Sequence, residues 1–178
     1  MFTGKNAGHA RAAMYHYADI FRNSDITDTV NYEEGDGAPA DHIKHGQFAL
    51  EGQVFMARDQ GEKTVFEFNE GVSIMVNCHS QREIDYYWER LKEGGDPQAQ
   101  QCGWLKDKSG VSWQITPVRL QEMMEDPDQE KVDQVMKAFM PMKKIDLPEL
   151  EKVYAEAGGS PSKGSPISGM TGGTRKSN

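Results

Sequence analysis

The stretch "CGWLKDKSGVSWQITP", residues 102–117, decides how the rest of the chain is read. Leu105 on one side and Val111, Trp113 and Ile115 on the other flank a polar turn, Lys106-Asp107-Lys108-Ser109-Gly110, that closes on glycine. This pattern predicts a strand around Gln100–Leu105, a tight turn, and a strand at Val111–Thr116. Immediately upstream, "SQREIDYYWERLKEG" (80–94) is the clearest helix in the chain. Ser80 and Glu83 have capping-box spacing. Ile84, Tyr87, Trp88 and Leu91 form one apolar face, and Gly94-Gly95 stops the helix. Before it, "VSIMVNC" (72–78) is a continuous apolar run, which predicts a buried strand.

The same order, strand–helix–strands, occurs once before. "NAGHARAAMYHYADIF" (6–21) has Ala13, Tyr17, Ile20 and Phe21 at helical spacing, with Asn6 as its expected cap. Ile26–Tyr32 reads as a strand, and the polar segment 33–41 as a loop. "HIKHGQFAL" and "QVFMARD" form a hairpin turning at Glu51-Gly52. Beyond residue 117, helical patterns at Arg119–Met124, Gln129–Met140 and Leu147–Ala157 are punctuated by Pro141 and Pro148. From Gly158 onward the chain is rich in Gly, Ser and Pro, and a disordered tail is expected.

Composition removes several function classes. The 178 residues carry 28 acidic against 20 basic side chains, a net charge of -8, and no basic face for nucleic acid is expected. No apolar run has the length of a membrane span. The start, "MFTGKNAGHA", lacks a basic region followed by an apolar stretch, so no secretory signal is expected. Cys78 and Cys102 stand apart with no CxxC spacing, which fits free thiols in a reducing cytoplasm.

The segments "EIDYYWERLKEGG", "QCGWLKDKSGVSWQITP" and "VMKAFMPMKKIDLPELEKVYA" together resemble the PhnB-like proteins, also catalogued as the 3-demethylubiquinone-9 3-methyltransferase family. "NAGHARAAMYHYADIF" and "QFALEGQVFMARD" match less sharply. The family belongs to the glyoxalase/bleomycin-resistance/dioxygenase, or vicinal oxygen chelate, superfamily. The resemblance implies an α+β fold of paired βαβββ modules whose strands curl around a cleft, here followed by a C-terminal helical extension. It divides the chain into a first module (1–58), a connection (59–71), a second module (72–117), C-terminal helices (118–157) and a tail (158–178). It also implies a homodimer, because relatives pair modules across two chains. The first strand is expected to be clipped or very short, since the chain opens directly on Met1-Phe2-Thr3.

In that superfamily the turn before a module's last strand often reads D-P-D-G-N-x-I-E-L, and its Glu binds a metal. Here Asp107 and Gly110 hold the turn and Gln114 stands at the Glu position. A neutral amide is a poor ligand for a hard divalent ion, and "VSIMVNC" has no His. The resemblance therefore implies a small-molecule ligand held in the inter-module cleft, with no metal and no cofactor expected. The candidate ligand-binding residues are His45, Gln114 and Arg58. Each has a plainer reading: a surface histidine, an amide satisfied inside the sheet, a solvated turn. Trp104 and Trp113 are candidate supports of the cleft, and strand alternation sets Trp113 on the face opposite Gln114. Two other function classes stay open. One is an enzyme, either metal-dependent, with His45 and Glu67 or Glu70 converging, or the methyltransferase of the family name. No G-x-G follows a predicted strand to hold a nucleotide-type methyl donor. The other is a partner-binding or regulatory protein that uses the acidic surface and the C-terminal helices.

Overall fold

Glu51 and Gly52 both adopt positive φ, 46° and 81°, the twist that a two-residue hairpin turn demands. They join β2 (Ile43–Leu50) to β3 (Gln53–Ala57), and β1 (Ser24–Asn31) pairs antiparallel with β2 from its other side. The computed structural model describes residues 1–60 and 67–160. Helix α1 (Ala10–Ile20) precedes this sheet. A second sheet follows, built from β4 (Ser73–Cys78), β5 (Asp96–Gln101), β6 (Trp104–Lys106) and β7 (Ser112–Pro117), with α2 (Gln81–Lys92) between β4 and β5. Its order is β4-β7-β6-β5, with β4 parallel to β7. Helices α3 (Val118–Met124), α4 (Gln129–Phe139) and α5 (Leu147–Glu156) complete a mixed α+β fold, with two sheets and five α-helices among the described residues.

The first sheet holds a remnant of the strand its counterpart has in full. Phe2 makes a single parallel bridge to Asp59, donating its N–H to the Arg58 carbonyl at 2.8 Å and accepting from Gln60 N–H at 2.9 Å. With Phe2 in the place of β4, both modules share one strand order.

Three elements differ from the sequence reading. The first helix starts at Ala10, not near Asn6, because Gly8 turns the chain at φ 85°. Asn6 does not cap it; its amide donates to the Ser109 carbonyl. The cap comes from Asp59, whose Oδ1 accepts from Gly8 N–H (2.8 Å) and Ala10 N–H (3.1 Å) while its Oδ2 accepts from Ile43 N–H (2.8 Å). The strand expected around Gln100–Leu105 is two strands, because Cys102 and Gly103 take φ 50° and 81° and form a second hairpin turn. Cysteine is an unusual occupant of that region, so no turn was signalled. Finally, β4 is buried on one face only: Val76 and Cys78 are buried, whereas Met75 is 54% exposed. It lies at a sheet edge, so its apolar run does not mark two covered faces.

The two modules pack through their helix-bearing faces. Phe48, Leu50 and Ala57 of the first sheet, and Val76, Leu105, Trp113 and Ile115 of the second, are all buried there. Gly46 lets α1 settle on β2, since a Cβ at that position would lie 2.6 Å from Met14 Sδ. The opposite faces of both sheets look outward. The helical extension docks on the second module. Met142 and Lys143 carbonyls accept from Cys102 and Gly103 N–H at 2.7 and 2.8 Å, and Ile145 is fully buried. The tail expected from residue 158 lies outside the described residues from 161 onward, as do residues 61–66 of the connection.

Asp59→Ala removes three hydrogen bonds from a buried site, whereas Ser80→Ala removes the single cap of α2. Urea unfolding followed by circular dichroism should show Asp59→Ala losing about 3 kcal/mol and Ser80→Ala about 1 kcal/mol. Equal losses would mean that Asp59 does not carry the start of α1.

Candidate functional site

At the centre of the inter-module contact sits the Asp107 carboxylate, 3% exposed. Its Oδ1 accepts from Ser109 N–H (2.8 Å) and Val111 N–H (3.0 Å), which closes the turn between β6 and β7. Its Oδ2 accepts from the Tyr17 hydroxyl (2.7 Å) and the Trp113 indole N–H (2.8 Å), which ties α1 to the second sheet. The rings around it interlock. Tyr17 meets Trp113 edge-on at 5.3 Å, Phe21 stacks on Trp113 at 5.6 Å, and Tyr17 stacks on Phe48 at 6.3 Å. Burial, reinforced by the Asp107 charge, pushes the Tyr17 phenol well above its usual 10.0, so it stays a donor.

Beside this cluster lies a cavity of about 360 Å³ between the two sheets. Phe48, Leu50, Phe55 and Ala57 form its first-module wall, Met14 and Tyr17 its α1 wall, and Ile74, Ser112 and Trp113 its second-module wall. Its chemistry is largely apolar. Glu67, Asn69 and Ser112 are its polar lining residues; Ser112 is 2% exposed, its hydroxyl has no hydrogen-bond partner, and strand alternation sets its side chain on the face of Gln114. A buried polar group without a partner costs about 1–3 kcal/mol, so such groups are rare in native folds. Glu67 is the one carboxylate among the described lining residues, and its carboxylate lies 4.0 Å from Lys5 Nζ.

The residues singled out in the sequence distribute over this frame as follows. Trp113 is fully buried and lines the cavity. Gln114 faces the other way, as alternation requires, and donates from Nε2 to Ser73 Oγ at 2.8 Å. It is flanked across the strands by Met75 and Trp104, which is half-buried. His45 lies on the outward face of the first sheet, with Nε2 3.9 Å from Asp28. Arg58 is exposed just beyond β3, 3.5 Å from the Tyr32 hydroxyl. None of His45, Gln114, Arg58 and Trp104 lines the cavity. Glu70 pairs with Lys106, so His45, Glu67 and Glu70 do not converge within one chain. Among the described residues, no three His, Cys, Asp or Glu side chains are grouped as a metal site requires. No helix among them is long and apolar enough to cross a membrane.

Comparison with known proteins bears on this geometry. The family described as 3-demethylubiquinone-9 3-methyltransferase matches residues 1–116, the two modules without the helical extension. The chain belongs to that family. A PhnB protein of the family, from Bacillus cereus, is 32% identical in sequence, with a TM-score of 0.59 over 63% of this chain and 93% of its own. A protein from Pseudomonas aeruginosa, at 23% identity and a TM-score of 0.52 over 62% and 90% of the two chains, shares the fold. None of the curated proteins matches. In this PhnB-like chain, the Asp107 hub was half legible in the sequence. The aspartate was read as a turn residue, but a buried tryptophan needs a partner for its N–H. Ser112 carried no signal, because its isolation is a property of the packed structure alone.

Tyr17 is favoured as the neutral phenol in the fold, so its contribution is complete below pH 10 and is lost as the pH rises further. Alkaline unfolding should therefore begin above about pH 10, and Tyr17→Phe should flatten that limb. An alkaline limb unchanged in Tyr17→Phe would assign it to other groups.

Proposed function

We propose that this PhnB-like protein binds a small, largely apolar organic molecule in the cavity between its modules, without a metal. The observation that carries this reading is the cavity itself, about 360 Å³ of largely apolar space enclosed between the two sheets and α1. The described lining offers one carboxylate and no His or Cys, too few donors for a divalent ion. The methyltransferase in the family name has less support. The glycine-bearing loop from Gly4 to Gly8 does lead from a strand remnant into α1, but the N–H groups of Gly8 and Ala10 already serve Asp59. They are not free for a methyl donor's anionic or ribose groups.

A neutral probe, methyl 4-hydroxyphenylacetate, tests the cavity. Calorimetry should detect one site per chain. Ala57→Leu, which places extra carbons in the cavity, should abolish the heat while the variant still unfolds cooperatively. Unchanged affinity in Ala57→Leu would place the probe elsewhere.

The assembly that fits this reading is a homodimer formed through the outward sheet faces. Val30, Val54 and Met56 on the first sheet, and Met75 on the second, are exposed by 46%, 53%, 67% and 54%. These faces also carry His45 and Gln114, so a second copy laid across them brings the two residues toward one cleft. Such exposed apolar residues on paired sheets are the usual material of a symmetric interface. Sedimentation should give twice the 20.0 kDa chain mass, and Met56→Glu with Met75→Glu should return it to the single-chain value. A wild-type protein sedimenting only at 20.0 kDa rules the dimer out.

A further inference from the structure

A second, larger groove of about 1050 Å³ adjoins the inter-module cavity, and Leu50, Phe55, Ile74 and Trp113 are walls of both. The two spaces differ in chemistry. The cavity is largely apolar. The groove is lined by Arg22, just after α1, and Arg82, in the first turn of α2.

Those two arginines are set apart from the others. Arg11 donates to Asn31, Arg58 to the Tyr32 hydroxyl, Arg90 to Asp19 and Arg119 to Glu122. Among the described residues, Arg22 and Arg82 alone of the arginines have no hydrogen-bond or ion-pair partner, and both line this groove. The groove's two carboxylates each accept a backbone N–H and pair with neither arginine. Glu83 Oε2 accepts from His79 N–H at 2.6 Å, and Glu51 Oε1 accepts from Asn23 N–H at 3.5 Å. A guanidinium fork with free donors matches a planar carboxylate.

We infer that the ligand is an amphipathic organic acid: its apolar end occupies the inner cavity and its carboxylate is held at the groove by Arg22 and Arg82. This rests on the cavity reading given above and adds the class of molecule. Tyr86 and Tyr87 add aromatic surface to the same groove.

The test uses 4-hydroxyphenylacetate beside its methyl ester, which share a ring and differ in charge. In low salt the acid should bind the wild-type protein about tenfold more tightly than the ester. The preference should shrink in about 0.5 M salt, as screening requires. The double variant Arg22→Gln, Arg82→Gln should bring the acid to the affinity of the ester, with circular dichroism confirming the fold. If the ester binds and the acid binds no better, the amphipathic-acid inference is overturned while the cavity reading stands. If the acid keeps its advantage in the double variant, the arginines are not its partners and the inference is likewise overturned. If neither compound binds, the cavity reading fails and the inference fails with it.

Discussion

A single buried carboxylate, that of Asp107, fixes how the two halves of this protein meet. Four donors converge on it, two from its own turn and two from aromatic side chains on different elements. A charge taken out of water is costly unless its lone pairs are filled, and here the filling groups dictate geometry. The turn must close so that Ser109 and Val111 N–H point inward. Trp113 must lie with its indole N–H toward the turn, and α1 must bring Tyr17 to the same oxygen. Once these are set, Phe21 and Phe48 have defined rings to stack against, and the space left beside them becomes the cavity. Removing the acid would leave the Trp113 indole N–H buried without its acceptor.

The two modules solve the same problem with different chemistry. Each needs an acceptor for the first N–H groups of its helix. The second uses a local residue, Ser80, in the capping box with Glu83. The first has little strand ahead of its helix, and Asp59, about fifty positions later in the chain, does the work from the end of β3. That difference follows from the short N-terminal strand. With only Phe2 paired, the segment before α1 needs a long-range anchor, and Asp59 both receives the Phe2 bridge and caps the helix.

How much of this was legible depends on the range of the interaction that sets each feature. The α2 cap, its apolar face and the Glu51-Gly52 turn depend on residues a few positions apart, and the sequence displays them. The turn at Cys102-Gly103 was missed because its cysteine is held at positive φ by contacts with residues 142 and 143, remote in sequence. Asn6 was misjudged as a cap for the same reason: a distant carboxylate took its role. At the site, the alternation of Trp113 and Gln114 was legible, but not which face would border the intrachain cavity. That depends on which side α1 and α2 occupy. The isolation of Ser112 and the free donors of Arg22 and Arg82 are likewise visible only once every other partner has been assigned.

The Gln81 side chain has a consequence for what counts as a folding unit. Its amide donates to the Ile145 carbonyl at 3.1 Å and its carbonyl accepts from Leu147 N–H at 2.8 Å, so the first turn of α2 clasps the segment leading into α5. Ile145 in turn plugs the space over Gly103, where a Cβ would meet it at 2.9 Å. The helices beyond residue 117 are therefore the lid of the second module's core and not an appendage to it. A fragment cut after residue 116, where the family match ends, would bare Ile115 and leave the Cys102 and Gly103 amides without acceptors. In this protein, the end of the family match and the end of the folded core fall at different places in the chain.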